Sequence, residues 1–94
     1  MTDQLIDILV KVKARFTDHS DLLWTTYETA KEVRDELDIY IGQLANGDNS
    51  CLPKLNLLFG ATSTFQEHSI QNGWTTEYMM LAEKFDSIYS ASVA

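Results

Sequence analysis

The chain reads as all-α: an up-down-up-down antiparallel four-helix bundle, with residues 1–94 forming one domain. Three observations predict this. Apolar residues recur at helical spacing through four separate stretches. One proline and four glycines are too little turn-forming material for many short strands. The polar connections between stretches are short, which folds each helix back beside its predecessor.

The first helix is expected over about 3–16. Leu5, Ile8, Leu9, Val12 and Phe16 share one face, Thr2 suits an N-cap, and Asp3 suits the positive end of the helix dipole. Lys11, Lys13 and Arg15 suit its other end. The second helix is expected over about 20–46, as the longest rod and the one the others pack around. Leu23, Ala30, Leu37 and Leu44 recur every seven residues, flanked by Thr26, Tyr27, Val33, Tyr40 and Ile41. Ser20 or Asp18 would cap it, and Gly47 would end it in the left-handed conformation. The first helix is shorter, so it would cover only the first half of the second.

The third helix is expected over about 52–72, with Pro53 in its first turn. Leu55, Leu58, Phe59, Thr62, Phe65 and Ser69 form its inward stripe, and Asn72-Gly73 ends it. The fourth is expected over about 75–90, capped by Thr75. Tyr78, Leu81, Ala82, Phe85, Ile88 and Tyr89 face inward, and Trp74 with Met79 has the spacing of a hydrophobic staple. Ser90 onward lacks a stop signal.

Composition narrows the function classes. Hydrophobic content is 45% and charged content 22%, as in globular chains. Fourteen acidic and seven basic side chains give a net charge of −7, which disfavours nucleic acid and anionic membrane and favours a basic partner. The same charge also serves simply to keep a small protein soluble. A lone cysteine, Cys51, cannot form an internal disulfide. No basic-then-apolar leader and no membrane-length apolar run is present, so a cytoplasmic location is expected.

No residue cluster amounts to a catalytic or metal motif. The di-iron pattern of bundles needs Glu-x-x-His, but Phe16 and Phe65 stand three residues before His19 and His68. Cys51 lacks a Cys or His at ligand spacing, although it precedes a helix, where thiol pKa falls. Gly42, Gly47, Gly60 and Gly73 are scattered singly and form no phosphate loop. Neither enzyme activity nor a cofactor is expected. Lys31 with Asp35 and Arg34 with Asp38 have ion-pair spacing on the second helix.

Two surfaces stand out. Gly42 and Gly60 fall on outward faces inside helices, each at a cost of about 1 kcal/mol relative to alanine. With Ile39, Leu57 and Ala61 they would make a smooth apolar strip fit for a second copy or a protein partner, with Glu32, Asp35, Glu36 and Asp38 setting orientation. Trp24 and Met80 also lie off the stripes. The competing reading is a kink at Gly42 and scattered apolar residues. The second surface is the segment 65–74, where Glu67, His68, Asn72 and Trp74 could form a polar recognition or ligand site. There the competing reading is a helix stop and a packed tryptophan.

The layout is similar to that of several small acidic bacterial binding proteins, including some immunity proteins that neutralise toxins, at the level of fold alone. The function expected is therefore a non-enzymatic protein–protein interaction module. The alternative is a small-ligand or catalytic protein using Glu67, His68 and Asn72.

Overall fold

In the computed structural model, which describes residues 2–20, 27–60 and 64–93, the chain is all-helical. Five helices rather than four stand among the described residues: α1 (Thr2–Lys13), α2 (Ala30–Ala45), α3 (Leu52–Leu58), α4 (Thr64–Asn72) and α5 (Thr75–Val93). None of them is long and apolar enough to cross a membrane.

α1 and α5 lie at the centre of the packing. Leu5, Ile8, Leu9, Val12 and Phe16 are all buried, as the stripe requires. α1 packs most extensively on α2 and also against α5, which in turn packs on α4 and α3. The long second helix is therefore not the hub. The end of α1 tightens into shorter-range turns, with the Arg15 and Phe16 amides bonding to the Val12 and Lys13 carbonyls.

The expected helix over 20–46 is shortened, because 27–29 are not helical. Thr29 sits in the extended region at φ −134° and ψ 152°, and its side chain accepts from the Glu32 amide. Glu32 in turn accepts from the Glu28 amide at 3.1 Å. Thr29-x-x-Glu32 is thus an N-terminal signature inside the apolar periodicity, and it outweighs that periodicity. Neither Ser20 nor Asp18 caps this helix. Ala30, Val33, Leu37 and Leu44 keep their inward places. Leu23, Trp24 and Thr26 lie outside the described residues.

At the other end Gly47 has φ +80°. The Asp48 amide reaches Gln43 O at 2.8 Å and the Gly47 amide reaches Leu44 O at 3.1 Å. This pair of bonds satisfies the carbonyls that a helix end leaves open. α4 ends the same way, with Gly73 at φ +79° and the Trp74 amide on Ser69 O at 3.0 Å.

The expected rod over 52–72 is interrupted after Leu58. The Gly60 amide bonds only three residues back, to Leu57 O at 3.2 Å. The Phe59 carbonyl accepts instead from the Tyr78 hydroxyl on α5, at 2.7 Å. A glycine with low helix propensity and a tertiary partner for a freed carbonyl together end α3. Thr62, expected on the inward stripe, lies outside the described residues.

α5 begins at Thr75, so Trp74 is the capping residue: its carbonyl takes the Tyr78 amide at 2.9 Å. Trp74 is buried while Met79 is exposed, so the expected staple is replaced by an edge-on contact of Trp74 with Tyr78. The helix continues through Val93 instead of ending near residue 90.

The core is strongly aromatic. Phe59 stacks on Phe85 at 4.6 Å and meets Phe65 edge-on at 4.9 Å. Phe16 of the α1 end meets Phe65 at 5.8 Å. These rings tie α1, α4 and α5 together across the α3 break, and edge-on pairs add about 0.5–1.5 kcal/mol each beyond area burial.

Surface ions fasten the α1–α2 packing. Arg34 does not pair with Asp38 as its spacing suggests. It donates to Phe16 O at 2.9 Å and to Asp18 at 2.8 Å, while Asp38 takes Lys13 at 2.6 Å. Tertiary partners at the end of α1 and in the turn after it displace the local one.

Candidate functional site

The expected apolar strip divides between two helices. Ile39 is 59% exposed on α2, with Gly42 one turn further on the same side. Leu57 is 66% exposed on α3, and Gly60 is half-buried just beyond it. α2 and α3 share little direct packing. Ala61 lies outside the described residues. A methyl group placed at Gly42 would meet nothing within 4 Å, so no close approach inside the chain demands glycine there. The acidic group beside the strip is engaged locally. Glu32 caps α2, Asp35 holds Lys31 at 2.6 Å, Glu36 accepts from the Tyr27 hydroxyl, and Asp38 holds Lys13.

The polar segment at the end of α4 turns inward. His68 is 0% exposed and Trp74 only 3%, so neither belongs to a surface. The Trp74 indole N–H donates to His68 Nδ1 at 2.8 Å. Since indole can only donate, Nδ1 is the unprotonated ring nitrogen. Phe16 stacks on the His68 ring at 3.8 Å. Asn72 donates to His68 O at 2.9 Å, and Ser69 to Gln66 O at 2.7 Å. Glu67 and Asn72 are half-buried beside this cluster. Asn72 thus serves the helix corner, and His68 and Trp74 act as core residues.

Cys51 stands just before α3 and is buried. Burial pushes its thiol up, which outweighs the helix terminus. Among the described residues no group of three or more His, Cys, Asp or Glu side chains is placed to hold a metal ion.

The feature that sequence reasoning missed is the seam between α1 and α5. Two adjoining open grooves run along it, about 760 and 650 Å³ in volume. Met80 and Lys84 line both, so the two form one channel. Met80 is 56% exposed at its middle, with Ile8, Leu81 and Ile88 beneath. One end holds Asp3, Asp7 and Glu83. The other holds Lys11 and Arg15 beside the start of α5.

Arg15 grips Glu77 through two bonds, at 2.9 and 2.8 Å. That contact holds the Glu77 carboxyl below its ordinary range and raises the Arg15 guanidinium further. Asp7 pairs with Lys11 at 2.9 Å, bridging the two ends. The only hint in the sequence was Met80, which stands off the inward stripe of α5. The convergence of Lys11, Arg15 and Lys84 depends on how α1 and α5 pack.

Comparisons with protein-family models, curated proteins and solved structures find no match to this chain.

Proposed function

We propose that this chain is a non-enzymatic protein–protein interaction module in which α3 and α4 act as one interrupted rod of a four-helix bundle. The α1–α5 seam is its principal docking surface. The observation that carries this reading is the seam itself: an open channel with apolar Met80 standing in solvent at its centre and charged side chains at both ends. That arrangement, an apolar centre within a polar rim, is the anatomy of protein interfaces. Ile39 and Leu57 are a secondary apolar contact on other faces. His68, Asn72 and Trp74 at the α4 corner are bonded to one another, which favours a binding surface over a reactive site.

The test is a photo-reactive side chain placed at position 80, with one at exposed Asn49 as control, in the cell that makes the protein. The expected result is a defined covalent adduct from position 80, either to another protein or to a second copy, and none from position 49. Equal or absent labelling at the two positions refutes the proposal.

A further inference from the structure

We propose that Asn46 is a site of spontaneous deamidation in the folded protein, and that the change weakens the end of α2. The chain holds two Asn-Gly pairs, Asn46-Gly47 and Asn72-Gly73. Glycine favours this chemistry because it has no Cβ to shield the attacking nitrogen. The deprotonated Gly47 amide nitrogen attacks Asn46 Cγ. The N–Cγ bond forms, the Cγ–Nδ2 bond breaks, and Nδ2 leaves as ammonia. Water then opens the five-membered imide at either carbonyl. Opening at Cγ gives aspartate; opening at the backbone carbonyl gives isoaspartate, with the chain routed through the side chain. One water is consumed, one ammonia is released, and nothing is oxidised or reduced.

Both pairs end a helix in the same way, and the intact ends prevent the attack. Asn46 has ψ 9°, so the Gly47 nitrogen nearly eclipses the Asn46 nitrogen and lies turned away from Cβ. Asn46 Nδ2 donates to Gly42 O at 2.9 Å, and the Gly47 amide donates to Leu44 O at 3.1 Å. At α4, Asn72 Nδ2 donates to His68 O at 2.9 Å. Ring closure in either pair needs rotation about the Asn Cα–C bond and release of such bonds.

The surroundings decide which pair can rotate. Asn46 and the four residues after it, Gly47 to Ser50, are exposed, and buried Cys51 comes next. Those four residues absorb the rotation without moving the core. Opening an exposed helix end is among the least costly local fluctuations of a fold. At α4, Gly73 alone stands between Asn72 and Trp74. Trp74 is buried and tied through its indole to His68, so rotation there drags on the aromatic core. Asn72 is therefore masked until the corner opens.

The product alters α2. A carboxylate has no proton to donate, so Gly42 O loses its side-chain partner. The new negative charge also sits at the negative end of the helix dipole, where no basic residue in the last turn offsets it.

The experiment incubates the folded full chain at neutral pH and body temperature. Peptide mapping by mass spectrometry, with chromatographic separation of isoaspartate, follows both sites over weeks. Asn46 is expected to convert at least about 10-fold faster than Asn72. In urea the two rates should agree within about threefold, because the residue pairs are identical. Trp74→Phe, shown by circular dichroism to be folded, should speed Asn72 at least about 10-fold and leave Asn46 within about twofold. Asn46→Asp should speed hydrogen exchange at the Gly47 and Asp48 amides, relative to the open chain, at least about threefold. Comparable rates at Asn46 and Asn72 in the folded chain overturn the proposal, as does an Asn46 that converts only in urea. So does an Asn46 rate that rises with Trp74→Phe as much as that of Asn72, since opening is then global. Unchanged exchange in Asn46→Asp overturns the weakening of α2.

Discussion

Replacing Trp74 by Phe tests the core corner on which the fold turns. Trp74 is 3% exposed, and its indole N–H is the donor to His68 Nδ1 at 2.8 Å. Phenylalanine keeps an aromatic ring near Phe16 and Tyr78 but leaves that buried acceptor without its donor. Leaving a buried polar atom unsatisfied costs about 1–3 kcal/mol. The smaller ring also gives up area worth one or two methylenes, at about 0.8 kcal/mol each. The sum is about 2–4 kcal/mol, a large share of the roughly 5–14 kcal/mol expected for a domain of this length. At about 4–8 °C per kcal/mol, Tm should fall by roughly 8–32 °C.

Urea unfolding followed by circular dichroism measures this directly, with an unchanged m-value expected. A cycle with His68→Leu isolates the hydrogen bond. Once the acceptor is gone, losing the donor costs less, so the coupling should be about 1 kcal/mol or more. Exposed Met79→Ala is the control and should stay within about 0.5 kcal/mol. A Trp74→Phe variant equally close to wild type, or a cycle with no coupling, refutes the reasoning.

Gly42→Ala should stabilise the protein by about 1 kcal/mol in the same unfolding assay, because a methyl there meets nothing and the helix gains propensity. Gly73→Ala should destabilise it by about 1–2 kcal/mol, because φ +79° is left-handed. Removing the α2 cap with Thr29→Ala should cost about 1 kcal/mol.

Stability should be flat from about pH 5 to 8.5 and fall on both sides. On the acid side, Arg15 holds Glu77 and Arg34 holds Asp18 below the ordinary range, while Ser50 amide bonding does the same for Asp48. Depressed folded values mean stability that is present above about pH 4.5 and lost as these carboxylates protonate. On the alkaline side, burial raises Cys51, Tyr78 and Tyr27, the last helped by Glu36, and pushes Tyr40 up to about 12. Raised values mean stability present below the unfolded values of about 8.5–10 and lost above them. A urea midpoint that rises above pH 10 contradicts this assignment. The Cys51 thiol should label slowly in the folded protein and quickly in urea.

Burial requires only that apolar side chains repeat at the helical period, and repetition is visible along the chain. That is why the inward residues of α1, α5 and the second half of the long stripe, from Leu5 to Phe85, could be read from the amino acids alone. So could the glycine stops at Gly47 and Gly73, because positive φ is a property of one residue. Where two local signals competed, the order of residues did not choose between them. The heptad ran through Thr29, and the cap made with Glu32 prevailed. The stripe ran through Gly60, and Tyr78, nineteen residues away, took the carbonyl that released the helix. Long-range partners also decided that Arg34 reaches Phe16 and Asp18, that His68 and Trp74 face each other inside, and that Lys11, Arg15 and Lys84 share one channel with Met80. Each of these depends on which helix faces link distant residues. Hydrophobic periodicity specifies that a face is buried but carries no label for its neighbour, so only the packed chain could supply that pairing.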